Sequence, residues 1–193
     1  MKLVFASNNE HKLSEVRSIM PAHVEILSLH DIGFEADIEE TGTTLEANSA
    51  IKAQTIHQWL VANQPNQPID GVFADDTGLE IDALNGAPGV YTARWAGEPA
   101  ANRRKALHEL SNQTNRKAQF RTVITLIRDN NQLQVEGIVR GSIATEERGE
   151  RGFGYDSLFI PEGHEKTFAE LPAEVKNSIS HRARALAELV KII

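Results

Sequence analysis

The segment that most limits how this chain can fold is its first thirty residues. Lys2 to Ala6 is a short apolar run, closed by the turn-forming Ser7-Asn8-Asn9. Residues 11–20 then place Leu13, Val16, Ile19 and Met20 on one helical face, and Pro21 stops the run. His23 to Ser28 is a second strand candidate. A buried strand, a polar turn, an amphipathic helix and a strand form the opening of an α/β unit.

The remainder extends that plan. Thr43 and Glu46 have the spacing of a capping box, which predicts a helix over 44–62 with Ala50, Ala53, Ile56, Trp59 and Leu60 inward. Asn63 to Asp70, with Pro65 and Pro68, reads as a loop. Gly71 to Ala74 predicts a buried strand with Asp75 and Asp76 at its C-terminal end, continued by Leu79 and Ile81. A helix follows over 98–112, with Ala101, Ala106, Leu107 and Leu110 inward. Phe120 to Ile127, a turn at Asp129-Asn130-Asn131, and the alternating Leu133 to Ile143 predict a long antiparallel hairpin. Leu158 to Ile160 is a short strand closed by Pro161, and Ser178 to Val190 a last helix striped by Ile179, Ala183, Leu186 and Val190. The expected architecture is α/β, one domain over residues 1–193, with a mixed sheet, flanking helices and two lobes. The hairpin is the first candidate for the second lobe.

Composition removes several function classes. With 193 residues the chain can bury a core without covalent staples. It has no cysteine, which excludes disulfides, thiolate nucleophiles and cysteine metal sites. Lys and Arg number 20 against 27 Asp and Glu, a net charge of −7, which argues against general nucleic-acid binding. The run Leu3 to Ala6 is too short for a signal-peptide core, and no segment reads as a membrane span. A cytoplasmic protein is expected.

Four clusters carry chemistry. Ser7, Asn8, Asn9, Glu10, His11 and Lys12 lie between a strand and a helix start, where backbone N–H groups and Lys12 can face an anion; ordinary capping explains the same residues. No G-x-x-x-x-G-K loop exists in the chain. Asp75 and Asp76 are adjacent carboxylates, costly to bury unless paired or bound to a cation. Strand side chains alternate, so only one need face a given site unless the strand has ended. Hard oxygen donors suit Mg²⁺, and Glu40 is a second candidate ligand. Asp-Thr-Gly also occurs in aspartic proteases, but the chain has a single such triplet. Gly152-Phe153-Gly154-Tyr155-Asp156 sets an aromatic ring between glycines, able to stack on a flat base. Lys176 and Ser180-His181-Arg182 offer donors near the last helix, and Lys52 is either a phosphate lysine or a surface charge. Together they describe a nucleoside triphosphate pocket.

The same blocks, in this order, resemble a known family. They are Ser7-Asn8-Asn9 with Lys12, Glu40-Thr41-Gly42-Thr43-Thr44 to Asn48 and Lys52, and Ala74-Asp75-Asp76-Thr77-Gly78-Leu79. Pro88 to Arg94, Phe153-Gly154-Tyr155-Asp156, Ala169-Glu170, Lys176 and Ser180-His181-Arg182-Ala183 complete them. The chain is similar over nearly its whole length to the Ham1-like inosine/xanthosine triphosphatases, pyrophosphatases of non-standard purine nucleotides. Two positions depart from the family pattern: Ser157 stands where proline is usual, and Thr77 where serine is usual.

The resemblance implies a two-lobed α/β fold with an elongated central mixed sheet and an active site in the interlobe cleft. It implies a homodimer, a Mg²⁺ requirement, and hydrolysis of ITP, dITP and XTP to the monophosphate and pyrophosphate. It gives Asp76 the proton-acceptor and metal role, with Glu40 near the metal; the adjacent carboxylate of Asp75 is an alternative ligand on the residue reading alone. It assigns substrate contacts to Ser7 through Lys12, Thr77, Phe153 through Asp156, Lys176, His181 and Arg182. Lys12, Lys52 and Lys176 would neutralise the leaving group, and His181 or Arg182 would donate to the purine C6 oxygen. A hydrolase of other base preference, or a nucleotide sensor without turnover, would share the phosphate groups.

Overall fold

The computed structural model describes residues 1–63 and 68–193, so residues 64–67, including Pro65 of the expected loop, lie outside the described residues. Its strands are β1 (Lys2–Phe5), β2 (Glu25–Leu27), β3 (Gly71–Ile81), β4 (Pro88–Gly89), β5 (Lys117–Arg128), β6 (Asn131–Ile143) and β7 (Phe159–Pro161). Its helices are α1 (Glu10–Ile19), α2 (Leu45–Asn63), α3 (Pro99–Glu109), α4 (Ala173–Ile179) and α5 (His181–Val190). The strands form one mixed sheet in the order β2-β1-β3-β5-β6-β7, with β4 paired to β3.

β1 is parallel to both β2 and β3, with Phe5 level with Phe73. The chain leaves β1 toward β2 and returns past β1 to β3. Right-handed crossovers then put α1 and α2 on opposite faces of the sheet. The packing agrees. Leu3, Phe5 and Phe73 meet Leu13 and Val16 of α1 and Leu186 and Leu189 of α5. Val4, Ala6, Val72 and Ala74 meet Ala53, Ile56 and Leu60 of α2. A strand covered on both faces must be apolar throughout, which is why Leu3 to Ala6 shows no alternation. Truncating a fully buried Ile56 to alanine in such a layer costs about 2–5 kcal/mol.

Two compact units divide the chain. The first comprises Met1–Asp76, Thr122–Gly137 and Arg182–Ile193, the second Thr77–Arg121 and Ile138–His181. The tip of the β5–β6 hairpin therefore belongs to the first unit, contrary to the expectation that the hairpin forms the second. Its turn, Asp129-Asn130, has φ of 50° and 59°, the left-handed pair that suits a two-residue connection between twisted strands. The second unit has its own core, in which Leu79, Ile81, Ala106, Leu110, Phe120, Phe159 and Phe168 pack together.

Three local expectations need correction. α2 is capped by Thr44, whose hydroxyl accepts from the Ala47 N–H at 3.1 Å, and not by Thr43. Asp75-Asp76 lie mid-strand and not at a C-terminal end, because β3 runs unbroken to Ile81, as the continuation by Leu79 and Ile81 anticipated. The expected last helix is two helices: Ser180 is extended (φ −66°, ψ 161°) and separates α4 from α5. Among the described residues, no helix is long and apolar enough to cross a membrane.

Candidate active site

In an open α/β sheet, ligands bind beyond the carboxyl ends of strands where the winding direction reverses. Here that point lies between β1 and β3. β1 is followed by Ser7-Asn8-Asn9, whose geometry is set by capping. Asn9 Oδ1 accepts from the Lys12 N–H at 3.0 Å, and Ser7 Oγ accepts from the Asn9 N–H at 3.2 Å. Asn8 donates to Asp37 at 3.2 Å. Glu10 and His11 are exposed in the first turn of α1. The cap fixes the helix start and so delivers Lys12 toward β3.

Because β3 continues through them, Asp75 and Asp76 point to opposite faces. Asp75 follows Phe73 onto the α1/α5 face. Its Oδ1 accepts from Lys12 Nζ at 2.8 Å, and its Oδ2 from Arg182 Nε at 3.0 Å and Nη2 at 2.9 Å. Arg182 Nη1 donates to Glu15 Oε2 at 2.5 Å. Asp75 and Arg182 are each only 1 % exposed. Burial would raise the Asp75 carboxyl, but Lys12 and Arg182 override it and hold the group well below the usual carboxylate range. The Lys12 ammonium is pushed down by burial and by the nearby Lys52 and Arg182 charges, against the pull of Asp75.

Asp76 follows Ala74 onto the α2 face. Asn48, fully buried on α2, donates from Nδ2 to Asp76 Oδ2 at 3.3 Å and accepts the Gly42 N–H at 2.8 Å. One amide thereby ties the acidic loop to the carboxylate. A Cβ on Gly42 would sit 2.6 Å from Asn48 Oδ1, so a glycine is needed for this approach. Lys52, one turn beyond Asn48, lies 2.5 Å from Glu40 Oε1 and 3.6 Å from Asp76 Oδ1. Burial pushes the Asp76 carboxyl up, helped by Glu40 and Asp75 and opposed by Lys52 and Lys12. Lys52 is raised despite burial, by Asp76, Asp75 and Glu40.

The two aspartates are thus made different by their surroundings. Asp75 is a fixed anion held by two cations, whereas Asp76 is a carboxylate whose proton affinity is enhanced. Neighbouring carboxyls with opposed shifts are the arrangement that acid–base chemistry uses. Glu40 and Asp76 converge on one ammonium, and two hard oxygen donors of this kind fit a divalent cation such as Mg²⁺. No group of three or more His, Asp or Glu able to hold a metal occurs among the described residues.

The second unit carries the other expected residues. Lys176 Nζ donates to Asp156 Oδ2 at 2.6 Å, and the same oxygen accepts the Phe153 N–H at 2.9 Å. The Lys176 ammonium stands 5.0 Å from the Phe153 ring centroid, a cation–π contact. A Cβ on Gly152 (φ +74°) would fall 2.0 Å from Asp156 Oδ2, so residue 152 must be glycine on both counts. Gly154 accepts from Arg103 through its carbonyl at 3.1 Å. Tyr155 is buried in the core, and its hydroxyl donates to the Thr92 carbonyl at 3.1 Å; burial pushes the phenol up. His181 stacks on Phe120 at 4.6 Å and 21°. Ser157 Oγ donates to Glu147 at 3.1 Å, a tether that proline could not make. Thr77 is half-buried in β3.

Arg182, expected with His181 as a donor to the base edge, lies buried among acids. Its guanidinium is turned to Asp75 and Glu15, so in this structure it orders the first unit's ion cluster. Asn48 ends the Glu40 to Asn48 block without a role that the sequence reveals, and nothing in the sequence singles out Glu15. Asn48 carried a usable signal: it is a polar residue on the stripe of α2 that holds Leu45, Ala53, Ile56 and Leu60.

The Ham1 family model matches residues 3–192. The chain belongs to the Ham1 family. A dITP/XTP pyrophosphatase of Porphyromonas gingivalis is 52 % identical over 192 residues, covering 97 % of this chain and 95 % of the relative. One from Flavobacterium johnsoniae is 48 % identical, covering 100 % and 98 %. Among solved structures, a Staphylococcus aureus Ham1 protein superposes with a TM-score of 0.85 at 38 % identity, covering 100 % and 97 %. A HAM1 protein from Coxiella burnetii gives 0.86 at 36 %, covering 100 % and 98 %. This Ham1 chain thus shares its fold with them over its full length.

Proposed function

We propose that this Ham1-family chain is a pyrophosphohydrolase of dITP, XTP and ITP, releasing the nucleoside monophosphate and pyrophosphate. The observation that carries this is the divided aspartate pair: a charge-locked Asp75 beside a basic Asp76, flanked by Lys12 and Lys52. Asp76 orients a water and takes its proton as the water oxygen bonds to the α-phosphorus. The bond from that phosphorus to the pyrophosphate oxygen breaks, and Lys12 and Lys52 balance the charge left on the pyrophosphate. Glu40 and Asp76 would hold Mg²⁺, which when bound neutralises triphosphate oxygens.

Base reading falls to groups of the second unit. Phe153 offers a ring face, while Lys176, Asp156 and His181 supply donors and acceptors. A site built to hydrogen-bond one exocyclic group rejects its replacement by orders of magnitude, which would separate a C6 oxygen from an amine. A homodimer, supported by the family resemblance, and a cytoplasmic address, the default for a sequence in which no signal-peptide core or membrane span is read, belong to the same proposal; sedimentation would test the first.

The test is pyrophosphate release from ITP, dITP, XTP, GTP, ATP and dTTP, with and without Mg²⁺. Metal-dependent release confined to the first three is expected. Equal rates across bases would overturn the base reading. Binding without release would replace the enzyme with a sensor.

A further inference from the structure

Lys52 occupies an unusual place for a phosphate-binding lysine. Its stem leaves the middle of α2, next to the buried Ala53, and is itself only 7 % exposed. Its ammonium is not held out to solvent but sits against Glu40 Oε1 at 2.5 Å and Asp76 Oδ1 at 3.6 Å. The second Asp76 oxygen faces Asn48 Nδ2 at 3.3 Å. The oxygens on which a divalent cation would be held are therefore the oxygens on which an ammonium already rests.

We propose that Lys52 is a built-in placeholder cation: it holds Glu40 and Asp76 together until a triphosphate arrives, so that the divalent ion enters with the nucleotide and not before it. This rests on the reading of Glu40 and Asp76 as the metal carboxylates. A bare dication approaching those oxygens meets a fixed positive charge within a few ångströms in a poorly solvated place, where repulsion is strong. The ammonium cannot withdraw alone, because it would leave its two carboxylate partners for no replacement. A triphosphate supplies that replacement. Its oxygens accept Lys52 while the cation takes the carboxylates, and the positive charge near Asp76 is exchanged rather than lost. A lysine suits the exchange, since its charge is compact and its four-carbon stem can swing between partners. The same placement keeps two like-charged carboxyls from repelling each other while no nucleotide is bound.

The test uses Mn²⁺ as the metal probe, with free ion followed by electron paramagnetic resonance at pH 8. Wild type, Lys52→Met, Lys52→Gln and Lys52→Arg are titrated alone and with α,β-methylene inosine triphosphate, with circular dichroism confirming the fold of each. Wild type is expected to bind Mn²⁺ weakly alone and tightly with the analogue. Lys52→Met and Lys52→Gln should bind it about tenfold or more tighter than wild type without nucleotide, because the opposing charge is gone, and Lys52→Arg should stay near wild type. Wild type binding Mn²⁺ equally well with and without the analogue would overturn the proposal with no variant needed. So would neutral variants no tighter than wild type while the analogue still recruits the ion. Wild type that takes up no Mn²⁺ even with the analogue would instead remove the assignment of Glu40 and Asp76 as metal carboxylates, and the proposal with it.

Discussion

Replacing Asp75 by alanine should unfold much of what holds the first unit together. The carboxylate accepts three donors, from Lys12 at 2.8 Å and from Arg182 at 3.0 and 2.9 Å. Asp75 and Arg182 are each 1 % exposed, so water cannot replace the lost anion. Removing one partner of such a buried cluster costs about 3–5 kcal/mol, because a desolvated charge is left behind. That is a large share of the roughly 5–15 kcal/mol that stabilises a typical domain. With a urea slope of about 2 kcal/mol per molar, the unfolding midpoint should fall by about 2 M.

Arg182→Met should cost a similar amount. The double variant should cost clearly less than the sum, because neither residue is left as the other's unpaired charge, although Lys12 and Glu15 each still lose a partner. The loss should also depend on pH in a defined direction. Asp75 is held below its unfolded value, so its contribution is complete above about pH 4 and fades as acid protonates it. The gap between wild type and Asp75→Ala should therefore be flat from pH 8 to 5 and close only in strong acid. A midpoint shift under about 0.5 M, or additive single and double variants, would refute the cluster as a stabilising unit.

Other expectations concern the chemistry and its supports. Asp76→Asn should keep the fold and lower kcat for pyrophosphate release about 10²–10⁴-fold, the usual worth of a general base. Since burial raises Asp76, the wild-type acid limb of kcat/KM should lie above an ordinary aspartate pKa of about 3.9, and it should vanish in Asp76→Asn; a limb at or below that value would remove Asp76 as the base. Asn48→Ala should cost about 1–3 kcal/mol in urea unfolding, because the Gly42 N–H loses its acceptor, and should lower kcat more than it raises KM for ITP. Gly152→Ala, forced against Asp156 at a positive φ, should cost about 1–3 kcal/mol; an unchanged thermal midpoint would mean the 152–156 loop relaxes freely.

Much of the site was legible before any coordinate. Lys12 follows a strand and a polar turn, and the capping logic that places it is local. Asp75-Asp76 and Phe153 to Asp156 announced themselves as adjacent acids and as an aromatic between glycines. What failed was also local in origin. A helical stripe at period 3.6 runs from Ile179 through Val190 and cannot register that a single residue, Ser180, is extended. The capping-box spacing selects Thr43 through Glu46, whereas the hydroxyl that accepts the Ala47 N–H is that of Thr44.

The amphipathic periods, the turn at Asp129-Asn130 and the inventory of acids and bases follow from neighbouring residues, and the sequence alone suffices for them. Strand alternation further requires that Asp75 and Asp76 part company if β3 continues. Which one becomes the locked anion and which the carboxyl of raised proton affinity is a tertiary outcome. It depends on α5 returning Arg182, 107 positions away in sequence, to the α1 face, and on α2 presenting Asn48 and Lys52 to the other. Proton affinity is set by burial and by charges a few ångströms away. Those distances exist only once the sheet order has brought remote segments together.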